Sequence, residues 1–189
     1  MLTRRDFVRS TTASLTAAAT ATPGRADAFP GRSAELLLQR TTKPVVIADY
    51  SGFEFTNSGK ENAVARAFRL ITEGRDVLDA LIAGVNIPEL DPLETGIGFG
   101  ALPNADGVIE LDASCMHGPL KRAGAVASLQ GVRTPSLVAR AVMDYTDHHL
   151  LVGEGAQRFA RSMGFPIEDD LHTENSRRLF LEWKRRADP

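Results

Sequence analysis

Three glycines at alternate positions, Gly96, Gly98 and Gly100, constrain this chain more than any other feature. Residues without a Cβ at that spacing suit a segment that other backbone, or a ligand, approaches closely. Pro103-Asn104 and Asp106-Gly107 follow as turn dipeptides. Val108, Ile109 and Leu111 then read as a buried strand that ends in the polar run Asp112-Ala113-Ser114. The local expectation is a β-hairpin with a short polar tip, and nothing in that physics names a reaction.

The chain before this stretch divides into three. Arg4-Arg5-Asp6-Phe7-Val8 is a twin-arginine pattern, and Ala13 to Ala21 is a mild Ala/Thr-rich apolar region. Ala26-Asp27-Ala28 fits a small-x-small cleavage site, with Ala28 last in the leader and Phe29 as mature N-terminus. Residues 1–28 are therefore read as a twin-arginine signal peptide, which implies a periplasmic or otherwise exported protein. Residues 29–42 are read as a linker and 43–189 as one domain. The alternative for the first segment is a basic cytosolic tail.

Along the domain, Val45, Val46 and Ile47 predict a first strand covered on both faces. Asp49 to Gly59 reads as a loop bearing Tyr50, Phe53 and Phe55. Ala63, Val64, Ala67, Phe68 and Ile71 share a helical face, ended by Gly74. Asp76 opens a second helix with Val77, Leu78, Leu81, Ile82 and Val85 as a broad apolar stripe, stopped by Pro88 and Asp91-Pro92. Cys115 to Pro119 reads as a loop, and Gly124 to Leu129 as a small-residue strand packed closely on a neighbour. Pro135 begins a helix at an N1-like position. His149 to Val152 reads as a short buried strand, and Gly153-Glu154-Gly155-Ala156 as a turn that leads directly into a helix ending at Gly164. Thr173 is expected to cap a last helix carrying Phe180 and Trp183.

Several chemistries lack their residues. Cys115 is the sole cysteine, which excludes an internal disulfide and all-cysteine metal sites. A Cys115–His117 metal pair has no third ligand at a sensible spacing. As a nucleophile, Cys115 lacks an orienting third group. His148 and His149, adjacent on a strand, point to opposite faces and cannot share a metal. Neither a dinucleotide-type nor a Walker-type glycine spacing is present. Glu168-Asp169-Asp170 reads as a solvated acidic run, and His172-Thr173 as a helix cap rather than a self-cleavage junction. The net charge of −2 with scattered basic residues argues against nucleic acid as partner. No apolar run reaches the ~18–20 residues of a membrane span. No cofactor is expected.

The ordered series Gly74-Arg75-Asp76-Val77-Leu78-Asp79-Ala80, Asp91-Pro92, Gly98-Phe99-Gly100-Ala101-Leu102-Pro103-Asn104, Asp106-Gly107, Leu111-Asp112-Ala113, Met116 and Gly124-Ala125-Val126-Ala127 carries a resemblance. It continues through Pro135, Val138 to Met143, and His148 to Gly155. Together these resemble the glycosylasparaginase (aspartylglucosaminidase) family of the asparaginase type 2 group. The resemblance implies an α+β fold, the αββα sandwich of N-terminal-nucleophile hydrolases, of which this chain would supply the α half alone. It implies an amidohydrolase that cleaves the side-chain amide of asparagine or N-acetylglucosaminyl-asparagine. In that family a threonine freed by self-cleavage is the nucleophile, and its own α-amine is the base, titrating near pH 8. The family junction lies beyond the tryptophan-bearing helix, so no catalytic residue is expected in this chain, and inactivity alone is. The implied partners are a β portion carrying the threonine, an (αβ)2 assembly and a small amide substrate, with no membrane anchor. Tyr50 or Phe53 would fill the family's aromatic place near the pocket. The competing expectation is a non-catalytic exported binding or partner protein that keeps the α scaffold.

Overall fold

The computed structural model describes residues 43–187. The segments read as a twin-arginine leader, an Ala28/Phe29 junction and a 29–42 linker lie outside the described residues. In chain order the elements are α1 (Tyr50–Glu54), α2 (Ala63–Thr72), α3 (Val77–Leu90), β1 (Leu111–His117) and β2 (Arg122–Leu129). They continue with α4 (Pro135–Tyr145), β3 (Leu151–Val152), α5 (Gly153–Ser162) and α6 (Glu174–Ala187). The fold is mixed α+β.

The sheet has the order β1-β2-β3, with β1 and β2 antiparallel and β3 parallel to β2. The hairpin of this chain is β1–β2, turned at Gly118 to Lys121, and it lies one element later than the sequence pattern predicts. The Gly96–Glu110 stretch is irregular because its amides are committed elsewhere. Phe99 N–H donates to Glu89 O (2.8 Å), Gly100 N–H to Leu171 O (2.9 Å) and Leu102 N–H to Thr95 O (2.8 Å). Only the expected tip survives: Asn104 Oδ1 accepts from the N–H groups of Asp106 and Val108, and Asn104 N–H donates to Val108 O.

Cys115, Met116 and His117 belong to β1 and not to a loop. Opposite Asp112 the ladder slips, and Ser128 adopts a left-handed φ of 48°. This is a bulge, and the Ser128 N–H is taken up by Asp112 Oδ1 at 2.8 Å. The extra residue returns Leu129 to the face of Val126, so both are buried.

The core lies on one face of the sheet. Val126, Leu129, Val132, Val138, Ala139, Val142, Ala156 and Ala160 form one cluster, which joins β2 to α4 and α5. Leu78, Ile82 and Met143 tie α3 to α4 beside Cys115. Gly124 makes the close approach possible: a Cβ there would lie 2.3 Å from Ala139 O and 2.5 Å from Met143 N. The small-residue strand is thus packed hard on α4, as its composition predicts. The opposite face carries Asp112, Ser114 and Met116, all exposed, and half-buried Ala123, Ala125 and Ala127.

The helix ends follow their capping chemistry. Asn62 Oδ1 accepts from Ala65 N–H, and Asp76 Oδ1 accepts from Leu78 and Asp79 N–H. Gly74 stands just past α2 with φ 84°. Thr173 Oγ1 accepts from Ser176 N–H while Ser176 Oγ accepts from Thr173 N–H, which fixes the start of α6. Phe180 and Trp183 stack with ring centroids 5.9 Å apart.

Other expectations are corrected. Val45 to Ala48 forms no ladder; Val45 and Ile47 are exposed, because no described strand lies beside them. Tyr50 to Glu54 is a short helix within the expected loop. On α2, Phe68 is exposed, and only Ala63 and Ala67 are buried. Pro88 does not stop α3, which runs on to Leu90 and closes with Asp91 N–H donating to Pro88 O. His148 and His149 precede β3 rather than lying on it, and β3 is only two residues, with Val152 exposed. The acidic run is not simply solvated: Glu168 receives both Arg133 Nε (2.6 Å) and Nη2 (2.7 Å), and Asp170 pairs with Arg177.

Candidate functional site

Between α3, the glycine loop and the edge of β1 lies a cleft of about 510 Å³. One wall is apolar, made by Leu81, Ile82, Val85, Ile97 and Leu102. The other is the consecutive run Glu110 to Cys115, and Glu89 and Ser136 close the floor.

Glu89 organises this floor. The residue is 2% exposed. Oε1 accepts from Ser136 N–H at 2.9 Å, and Oε2 accepts from Ser136 Oγ at 2.7 Å and Asn86 Nδ2 at 2.6 Å. Burial pushes its pKa up, against the pull of the Ser136 and Asn86 donors. The acid therefore caps the first turn of α4, where Thr134 makes no side-chain cap. The sequence reading missed this trio. Its signal is a charged residue following Ile87-Pro88 in an otherwise apolar helical run, three residues after Asn86.

The glycine loop is pinned to the same turn. Gly98 has φ 62°, and a Cβ on it would fall 2.1 Å from Glu89 O. Close backbone approach is the reason for this glycine, as expected, but against a helix end and not a strand. Behind the loop, Asp91 Oδ2 accepts from Asn57 N–H at 2.7 Å, and Glu94 Oε1 from Gly96 N–H at 2.5 Å.

The remaining nucleophilic groups are occupied or unactivated. Burial raises the Cys115 thiol pKa, which favours the unreactive thiol. The Ser136 hydroxyl is committed to Glu89, and Thr173 to Ser176. His117 Nε2 sits 2.8 Å from Asp76 Oδ2, and its Nδ1 is buried without a partner. Among the described residues no three His, Cys, Asp or Glu side chains converge as a metal site. Tyr50 and Phe53 sit exposed on α1, with Tyr50 edge-on to Phe55 at 6.3 Å. Neither lines the cleft. The cleft as described offers three hydrogen-bonded acids, Glu89, Glu110 and Asp112, with a strand edge and an apolar wall, and no nucleophile beside a base.

The asparaginase family model (Asparaginase_2) matches residues 50–189, and the chain belongs to this family. It is 38% identical over 144 residues to the N(4)-(beta-N-acetylglucosaminyl)-L-asparaginase of Elizabethkingia miricola, covering 76% of this chain and 39% of that protein. It is 44% identical over 128 residues to the plant-type L-asparaginase of Pyrococcus furiosus, covering 68% and 41%. The isoaspartyl peptidase/L-asparaginase of Rattus norvegicus is 39% identical over 113 residues, covering 60% and 34%. The chain thus spans about two-fifths of the length of the first two relatives.

Proposed function

We propose that this chain is the α portion of an exported N-terminal-nucleophile amidohydrolase that cleaves the side-chain amide of asparagine or its N-acetylglucosaminyl conjugate. The family match carries this reading, and the names of the relatives supply the substrate class. The nucleophile is a threonine on the β portion, freed by cleavage of the chain before it. Its α-amine takes the hydroxyl proton, the hydroxyl oxygen attacks the amide carbon, and the C–N bond breaks as ammonia or the N-acetylglucosaminylamine leaves with that proton; water then releases aspartate from the acyl-enzyme. Consistent with that division, the cleft holds no activated nucleophile of its own.

The bare sheet face of Asp112, Ser114, Met116, Ala123, Ala125 and Ala127 suits the second sheet of an αββα sandwich. Exposed Tyr50 and Phe53 are offered as aromatic contacts for substrate, and (αβ)2 as the assembly of the complete enzyme. Export through the twin-arginine route is read from residues 1–28, with Phe29 as the expected first residue on Edman sequencing of secreted protein.

The test is hydrolysis of asparagine-linked N-acetylglucosamine and of L-asparagine, with ammonia and aspartate as readouts. This chain alone is expected to give no turnover above buffer. Turnover by the purified chain overturns the assignment of the nucleophile to a separate portion.

A further inference from the structure

We propose that Cys115, His117 and Met143 form a binding site for a soft monovalent metal ion, copper(I). The site goes beyond the amidase reading and does not depend on it. Its starting point is an unsatisfied atom. The His117 side chain is 9% exposed, its Nε2 stands 2.8 Å from Asp76 Oδ2, and its Nδ1 is buried with no hydrogen-bond partner among the described residues. When the ring is neutral, the carboxylate fixes the tautomer: Nε2 carries the proton and donates it to Asp76, and Nδ1 keeps a bare lone pair. Buried polar atoms are rarely left so. A buried imidazole held by a carboxylate on one nitrogen, with the other nitrogen open, is the outer-shell pattern of a metal ligand.

β1 brings the second ligand. Cys115 and His117 are alternate residues of one strand and share its inward face, where Leu111 and His117 are buried and Cys115 is half-buried. Their Cα atoms are ~6.8 Å apart by strand geometry. A metal with bonds of ~2.3 Å to sulfur and ~2.0 Å to nitrogen spans up to ~4.3 Å, so the two side chains need only lean together. Met143 supplies a thioether. Cys115 packs against the buried trio Leu78, Ile82 and Met143. Its cross-strand partner is Gly124, and a Cβ there would fall 2.7 Å from Met143 Cβ, which seats Met143 over this point of the sheet. The Cys115–His117 pair lacks a third ligand in the sequence because that ligand comes from α4.

The donor set selects the ion. Thiolate and thioether are soft ligands that favour copper(I), and imidazole suits copper as well. On binding, the thiol S–H bond breaks, a sulfur–copper bond forms and the proton leaves to solvent; no electron moves. Thiolate and copper(I) then sum to zero charge, which suits surroundings made by Leu78, Ile82 and Leu137. Zinc(II) would leave a positive charge among these apolar side chains. It would also lack the fourth ligand of a closed site, since no three His, Cys, Asp or Glu side chains converge among the described residues. Cys115 lines the cleft beside α3, which gives the ion a way in.

Anaerobic competition of the full, reduced chain for copper(I) against bicinchoninate tests this, read from the colour of the copper–bicinchoninate complex. Expected is one ion held per chain. Cys115→Ser should lose it. His117→Gln and the volume-conserving Met143→Leu should each hold it about tenfold or more weakly, with folding of each variant checked by circular dichroism. A second measurement needs no variant: in imidazole nitrogen spectra of the wild-type chain, loading should move the His117 Nδ1 resonance while Nε2 keeps its proton. The proposal is overturned if a folded His117→Gln or Met143→Leu chain binds as tightly as wild type, which would leave a bare thiol as the ligand. It is equally overturned if His117 Nδ1 does not move, if two chains share one ion, or if an equal concentration of zinc(II) displaces the copper. Hydrolysis is not read, so the outcome stands apart from that of the amidase assay.

Discussion

Ser136 gives both its backbone N–H and its hydroxyl to Glu89, at 2.9 and 2.7 Å, across a sequence separation of 47 residues. This single side chain joins the last turn of α3 to the first turn of α4, and Glu89 O also holds the glycine loop through Phe99 N–H.

Replacing Glu89 by Ala leaves the buried Ser136 N–H and hydroxyl without their acceptor and opens a void, while Asn86 Nδ2 keeps Ser136 Oγ. The expected loss is about 2–4 kcal/mol, read from urea unfolding at neutral pH. An unchanged unfolding midpoint would remove Glu89 from its organising place.

The same residue sets a pH dependence. Its folded-state pKa is raised by burial, so the native chain holds this proton to higher pH than the unfolded chain does. Stability contributed here falls as pH rises from the ordinary carboxylate range, about 4.3, through the raised value. Glu89→Gln should flatten that fall. Asp76 has the opposite sign: its pKa is lowered, first by the Asp79 N–H and then by His117, so its contribution is lost on acidification. Urea midpoints against pH for wild type, Glu89→Gln and Asp76→Asn should show these two trends separately.

Gly98→Ala should destabilise by about 2–4 kcal/mol, because its Cβ would overlap Glu89 backbone at a left-handed φ. Gly153→Ala is the control. It shares the left-handed φ, at 53°, but a Cβ there meets nothing within 4 Å. Only the conformational cost of about 1 kcal/mol remains. Equal effects at the two positions would show that backbone contact is not what Gly98 serves.

Asp76 both caps α3 and holds His117. Asp76→Ala should cost about 1–2 kcal/mol, and Asp76→Ser, which keeps a capping oxygen, should cost less. Thermal melts of the two variants decide the order.

Thr173 is a cap, with its hydroxyl accepting from Ser176 N–H at 3.1 Å. Intact-mass measurement after prolonged incubation should therefore show no cut between His172 and Thr173. Thr173→Ala should lower stability by about 1 kcal/mol. A fragment starting at Thr173 would overturn this reading.

Much of the helical layer was legible in the chain. Asp76, Pro135 and Thr173 announce helix starts, and Gly74 and Gly164 announce ends, because capping chemistry is local. The family was legible in an ordered series of short motifs. The strands were read less well. Val45 to Ile47 has the composition of a strand but no described neighbour, while Cys115, Met116 and His117 read as a loop yet pair with β2. Pairing is a property of two segments, and one segment's pattern does not report it. The cleft was missed for the same reason, since Glu89 and Ser136 acquire their meaning only by meeting.

By itself, then, the order of residues determined the capped starts of α3, α4 and α6, the ends at Gly74 and Gly164, and which family the chain belongs to, since each rests on neighbours within a few positions or on motif order. Tertiary structure alone decided which strand pairs with which, which sheet face is covered and which acid is buried. Those depend on contacts between residues tens of positions apart, where the hydrogen bonds and the buried area are shared and neither partner's sequence fixes them.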